Sequence, residues 1–381
     1  MNTDEGLIRA VGVRGLTAGI INYTIGAGIF VLPAVVAGLV GGAAPLVYII
    51  CAIAMGLIVA CFAEAGSRVS LSGGTYGYAE TAFGPYIGFI VAMCLWFGAN
   101  VLATAAVINV CVDTLAQISP VFGNSLVRGA FIIVSYGVLA AINIRGVKTG
   151  SHVVQTVTFA KLLPLLILVG VGAFAINPQN LTWPGFPSAG EISRASVLLI
   201  FAFMGVESAL TPSGEVKNAV RTVPRAIAIA LIAVTILYIL IQVVTQGILG
   251  AELATNTKAP LAEAAGRVLG SSGKFLILAG AAISTFGFVA GDMLASPRGL
   301  FALGRDGLLP SIVGRVHERF RTPHVAIVIH AVAAAALAIS GSFAGLVALS
   351  VLSALIVYLI CCLATIQLQR KNVRTDDAVP F

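Results

Sequence analysis

The chain alternates long apolar runs with short polar stretches, and the runs have the length of a bilayer. Ten of them can span roughly 30 Å of hydrocarbon as helices. They lie near 14–38, 44–66, 86–117, 127–143, 153–176, 194–211, 225–250, 273–302, 324–340 and 343–368. Composition agrees with this reading. The chain is 59% hydrophobic and 10% charged, with a mean hydropathy of +1.02, where a soluble domain carries roughly 25% charged residues. Too little polar surface is present to cover the protein in water, so an all-α integral membrane protein is predicted.

Charge then orients it. Of 22 basic residues, 16 fall on the N-terminal side of the predicted spans, five on the other, and Lys161 falls inside one. That asymmetry places both termini in the cytoplasm. The net charge of +7 is therefore a topology signal, and no nucleic-acid partner is expected. The six cysteines sit in apolar runs without a CxxC pair, so neither metal, cofactor nor disulfide is expected. The first run is long and interrupted by glycines, unlike a cleavable signal.

Two runs are interrupted at corresponding places. The first reads Ile21-Asn22-Tyr23-Thr24-Ile25-Gly26-Ala27-Gly28-Ile29-Phe30-Val31-Leu32-Pro33. The sixth reads Phe201-Ala202-Phe203-Met204-Gly205-Val206-Glu207-Ser208-Ala209-Leu210-Thr211-Pro212. In both, a glycine is followed seven residues later by proline: Gly26 to Pro33, and Gly205 to Pro212. Interrupted helices at matching positions point to a transporter's binding site, because unwound backbone in a bilayer must face protein, water or ligand. Close helix packing by small residues is the alternative.

The chemistry of such breaks suits a zwitterion. The N-terminal end of a half-helix offers free N–H groups and a positive dipole end, so the amides of Ala27, Gly28 and Ile29 are candidates to hold a carboxylate. Carbonyls near Thr24, Phe201 and Met204 are candidates to accept from an ammonium. With Gly26, Ala202 and Gly205 they form the expected substrate site, and an α-amino acid presents both groups together.

Lys161 is the other candidate. The run Val153–Ala175 carries no other charge, and an unpartnered charge at such depth costs from about 3 to well over 10 kcal/mol. The residue lies nine positions after His152, about 13 Å along a helix, too deep to snorkel comfortably. A proton cycle on this amine is one reading; a fixed structural cation bonded to carbonyls of the first helix is the other.

Together these stretches resemble the amino acid–polyamine–organocation (APC) superfamily of permeases. The first-helix motif Ile25–Pro33 carries part of the likeness. Ser72-Gly73-Gly74-Thr75-Tyr76-Gly77-Tyr78 with Phe83-Gly84-Pro85 is similar to the family's first cytoplasmic re-entrant loop. Phe201–Glu207, continuing through Gly214–Asn218 and Val223–Ile227, resembles its helix 6–7 signature, and Gly304–Pro310 its helix 8–9 loop. The resemblance implies an inverted five-plus-five (LeuT-like) helix repeat, with helices 1–5 in residues 1–176 and helices 6–10 in 177–370. Residues 371–381 would be a tail or a linker toward helices 11 and 12, the chain being either a ten-helix variant or a fragment. It also implies that Phe201 gates the substrate. A lysine matching Lys161 occurs in proton-coupled bacterial members, where it occupies the cation position of sodium-coupled relatives, between helices 1 and 8. Ser284 and Thr285 match that neighbourhood.

Asn100 and Thr104, four apart on helix 3, share a face and would contact the substrate side chain if that face lines the site; bonding to a neighbouring helix is the alternative. Glu207 could bind a cationic substrate; the resemblance favours the other reading, a glutamate that stabilises the broken helix. Asp292 stands where relatives are commonly uncharged and would line the inner vestibule or pair with Arg298. The function expected is a secondary transporter of a small-molecule amino acid, neutral rather than cationic, driven by proton symport in a bacterial inner (plasma) membrane. An amino acid or polyamine exchanger is the nearest alternative, and a non-transporting sensor a more distant one. The helices carry no catalytic constellation, and interrupted helices suit an occluded site better than a continuous pore. Oligomeric state is left open.

Overall fold

The computed structural model describes residues 12–69, 75–145, 161–183, 185–205, 219–256 and 258–373. Glu207, His152, the lysine helix before residue 161, Gly73 and Gly74, Pro212, the 214–218 stretch and the tail from Arg374 lie outside them. Among the described residues all regular elements are helical.

The first predicted run forms two helices, α1 (Val13–Thr24) and α2 (Gly28–Val40), joined by Ile25, Gly26 and Ala27. A turn at Gly41–Ala43 leads to α3 (Ala44–Arg68). The helix α4 (Thr75–Phe83) lies where a re-entrant loop was expected. Next comes α5 (Pro85–Ile118), whose stretch Cys94–Val101 is π-helical, followed by α6 (Ser125–Arg145) and α7 (Lys161–Ala175). The second half contains α8 (Ala189–Phe203), α9 (Ala219–Leu249), α10 (Pro260–Arg305), α11 (His324–Ser340) and α12 (Phe343–Arg370).

Local chemistry explains several ends. Ser188 and Glu191 form a reciprocal capping box at the start of α8, which satisfies amides that no earlier turn can reach. As one straight helix, the 46 residues of α10 would reach roughly 69 Å, twice the hydrocarbon thickness. Gly270 (φ 68°, ψ −160°) breaks it into two pieces. The helix starts 13 residues before the predicted 273 because the charges of that stretch find partners: Arg267 pairs with Glu252 and Lys274 with Glu263.

Six stretches among the described residues are long and apolar enough to cross a membrane: Gly28–Arg68, Pro85–Ile118, Ser125–Arg145, Arg221–Leu249, Pro260–Arg305 and Gly345–Arg370. α7 and α11 are apolar but shorter. The outer surface is apolar as well. On α3, Ile49, Ile53 and Leu57 are exposed at four-residue spacing while Tyr48, Cys51, Met55 and Phe62 are buried. A helix apolar on both faces is one whose solvent is lipid.

Packing brings the site together. α1 lies against α9, α2 against α8, and α3 against both α8 and α9. α10 packs on α5, α6 and α11, and touches α1 and α2.

Candidate functional site

The α1–α2 interruption is the centre of the site. Ile25, Ala27 and Ile29 are wholly buried, so each polar backbone group there needs a partner. Two carbonyls on the α1 side meet Lys161, whose ammonium donates to Asn22 O at 2.5 Å and Ile25 O at 2.7 Å. Ser284 of α10 donates to the same Ile25 carbonyl at 3.3 Å. Lys161 is 0% exposed, and its bonds to Asn22 and Ile25 go to uncharged oxygens. Its charge is therefore held by carbonyl dipoles, as in a cation site.

On the other side of the break, Phe30 N–H donates to Ala27 O at 3.1 Å, and Gly26 N–H to Thr24 O at 2.9 Å. The amides of Ala27, Gly28 and Ile29 find no backbone acceptor among the described residues. They form the N-terminus of α2, where the dipole end is positive. Thr24 Oγ1 is committed to Ile20 O of its own helix at 2.8 Å, so Thr24 offers its backbone. Asn22 Oδ1 is buried and has no hydrogen-bond partner among the described residues.

α8 ends at Phe203 against this break. Gly205 has φ +105°, and a Cβ there would lie 2.9 Å from Tyr23 O, so only glycine fits without strain. A Cβ on Gly28 would lie 3.0 Å from Cα of Ala202. The two small residues let the ends of α1, α2 and α8 touch. Phe201 is buried beside Ala202, while Met204 and Gly205 are half-buried.

One residue that sequence reasoning missed ties the two ends together. The Tyr238 hydroxyl of α9 lies 2.9 Å from Thr24 O and 3.0 Å from Ala202 O. Its ring meets Phe203 edge-on at 5.5 Å. A signal existed: tyrosine belongs at membrane interfaces, and Tyr238 sits in the middle of a predicted span. Phe288 of α10 was also missed; its ring would lie 3.3 Å from a Cβ on Gly26.

Other predicted residues are placed differently. Thr285 donates to Ala281 O and Ala282 O of its own helix, at 2.7 and 3.1 Å. Thr104 is fully buried and accepts from Tyr136 of α6 at 3.3 Å, a bond to a neighbouring helix. Asn100 is half-buried within the π stretch. Its four-residue relation to Thr104 therefore spans a change of helical period, and a shared face no longer follows from the spacing. Asp292 bonds His330 and Ser296.

A family profile for amino acid permeases matches residues 11–377. The chain belongs to the amino acid permease family. Its relatives include the methylthioribose transporter of Bacillus subtilis, 28% identical over 99% of this chain and 85% of that protein. The serine/threonine exchanger SteT of the same organism is 29% identical over 85% and 75% respectively. An L-lysine transport protein of Corynebacterium glutamicum is 30% identical over 82% of this chain and 64% of its own length. This permease is thus a multi-pass membrane transporter and not an enzyme.

Proposed function

We propose that this permease moves α-amino acids across the plasma membrane by alternating access on an inverted five-plus-five helix frame, coupled to protons. The observation that carries the reading is the Lys161 ammonium on the Asn22 and Ile25 carbonyls, with three amides at the start of α2, on the other side of the break, that find no backbone acceptor among the described residues. The amides of Ala27, Gly28 and Ile29 take the carboxylate. The α-ammonium goes to carbonyls at the end of α8, around Phe201 and Met204, and to Asn22 Oδ1. Phe201 closes over the bound substrate. Lys161 stands in for a bound cation and, by losing and regaining its proton, releases and restores the carbonyls it holds.

A neutral substrate fits best, because the one buried carboxylate described near the break, Asp292, is already bonded to His330 and Ser296. The 1–176 and 177–370 halves each open on one of the two interrupted segments, and the basic-residue asymmetry puts both termini in the cytoplasm. Exchange is the second reading, favoured by the likeness to a serine/threonine exchanger.

Uptake of alanine, leucine, serine and lysine into proteoliposomes tests both, with and without an inward proton gradient and with and without internal amino acid. Gradient-driven accumulation that disappears in Lys161→Ala supports symport. Uptake that needs internal amino acid and ignores the gradient makes this an exchanger, with Lys161 a structural cation. Lysine outcompeting alanine and leucine ends the neutral reading.

A further inference from the structure

Away from Lys161, a second set of buried polar groups joins three helices. Trp96 in the π stretch of α5 donates its indole N–H to His330 Nδ1 on α11 at 3.2 Å. His330 Nε2 lies 2.9 Å from Asp292 Oδ2 on α10, and Ser296 donates to Asp292 Oδ1. His330 is 0% exposed and Asp292 5%. Nothing in the substrate site uses these groups.

The direction of the bonds is fixed by chemistry. An indole nitrogen only donates, so His330 Nδ1 must be the bare nitrogen and Nε2 must carry the hydrogen. His330 is thereby held as a neutral donor to Asp292 Oδ2; an imidazolium would set two N–H groups against each other. The residue type that usually titrates near neutrality is locked, and the carboxylate beside it is left with two neutral donors and its full charge.

We infer that Asp292 is a proton-binding site within the membrane, distinct from Lys161. The proton adds to Oδ1. The Ser296 hydroxyl then turns from donor to acceptor and gives its own hydrogen to the carbonyl one turn back, the usual acceptor for a helical serine. His330 stays a donor throughout, so α5, α10 and α11 remain bonded while the charge between them comes and goes. A charged carboxylate held by two neutral donors at this depth still carries a desolvation cost, and protonation removes that cost without breaking the network.

Other titratable groups face the site. Tyr23 of α1 donates to Gly291 O at 3.3 Å and feels the charges of both Asp292 and Arg298. Tyr136 of α6 also feels Asp292. From α9, Tyr238 is committed to Thr24 and Ala202, and Arg221 and Arg225 are exposed. Lys161 of α7 is committed to Asn22 and Ile25. The Cys111 thiol of α5 donates to Ala282 O farther along α10, and α2 carries no titratable residue.

Two spectroscopic readouts test this in the full-length protein in lipid, without reference to transport. With nitrogen-15-labelled histidine, assigned through His330→Gln, the wild type keeps the neutral Nε2–H form of His330 from about pH 8 to about pH 5. Over the same range an infrared difference spectrum gains a protonated-carboxyl C=O band that Asp292→Asn abolishes. Trp96→Phe removes the lock, and His330 then becomes doubly protonated on acidification. That variant keeps the test alive if Asp292→Asn does not fold. A doubly protonated or Nδ1–H His330 in the wild type overturns the inference, as does a band unchanged in Asp292→Asn. Lys161→Ala should leave both signals in place, so failure of the Lys161 coupling scheme does not touch this site; loss of the band there would overturn its independence.

Discussion

Replacing Tyr238 by phenylalanine isolates the tie between the two interrupted segments. The hydroxyl is buried and stands between Thr24 O and Ala202 O, yet it has one proton and satisfies one carbonyl at a time. Phenylalanine keeps the ring, and with it the edge-on contacts to Phe203 and Tyr48, so no packing term enters. Thr24 O retains the Gly26 amide as a second donor, which leaves Ala202 O as the group most exposed to loss. One neutral hydrogen bond is worth about 0.5–1.5 kcal/mol, and a buried group left without a partner costs about 1–3 kcal/mol. With a single proton at stake the lower part of that range applies, about 1–2 kcal/mol, a factor of 5–30 in an equilibrium constant. How that factor divides between folding and binding is informative. If the hydroxyl only braces the fold, Tyr238→Phe lowers the melting temperature of the free and substrate-bound protein equally. If it positions the carbonyl end that meets the substrate ammonium, KM rises about 5–30-fold and substrate stabilises the variant less. Thermal unfolding in detergent with and without saturating amino acid, alongside uptake kinetics, separates the two. Unchanged stability together with unchanged KM would refute the idea that this tyrosine ties the breaks together.

Gly205→Ala should abolish transport and sharply reduce folded yield, because φ +105° and a Cβ 2.9 Å from Tyr23 O combine about 1–3 kcal/mol of backbone strain with a direct clash; size-exclusion of the purified variant reads this out. Ser284→Ala removes a bond to the Ile25 carbonyl shared with Lys161 and should lower proton-driven uptake several-fold, whereas Thr285→Val, whose hydroxyl donates to the Ala281 and Ala282 carbonyls of its own helix and to neither carbonyl that Lys161 holds, should change it less than twofold. Glu191 is held below the usual carboxylate range first by the Ser188 backbone N–H and then by the Ser188 hydroxyl. The stabilisation from that cap is therefore complete above the unfolded carboxyl value of about 4.3 and lost as pH falls through the lower folded one. Glu191→Gln should flatten this acid limb of a stability–pH profile and lower the neutral plateau toward the level the wild type reaches in acid.

The interruption at Gly26 and the charge at Lys161 were legible because each violates a rule of its surroundings. A run of Gly-Ala-Gly gives poor helix in a place where broken backbone is expensive, and an ammonium in the otherwise uncharged run 153–175 demands a reason. What was not legible is the complement of each violation. An exposed carbonyl can be answered by a lysine, a tyrosine or a serine from any helix, and here all three do so, from α7, α9 and α10. Sequence spacing orders residues along one helix but says nothing about which helix faces it. The π stretch shows the same limit from inside an element: α-periodicity put Asn100 and Thr104 on one face, and the wider turn of Cys94–Val101 removes the basis for that assignment. His330 was passed over because a lone histidine in an apolar run suggests nothing by itself. Its meaning comes from Trp96, 234 positions away, whose N–H decides which nitrogen carries the hydrogen. Mid-span Trp, Tyr and His side chains, each with an apolar body and one directional polar atom, thus supply the bonds that unwound or charged groups require. In a chain with so few charges, those residues are the place to look first for the partners of any break.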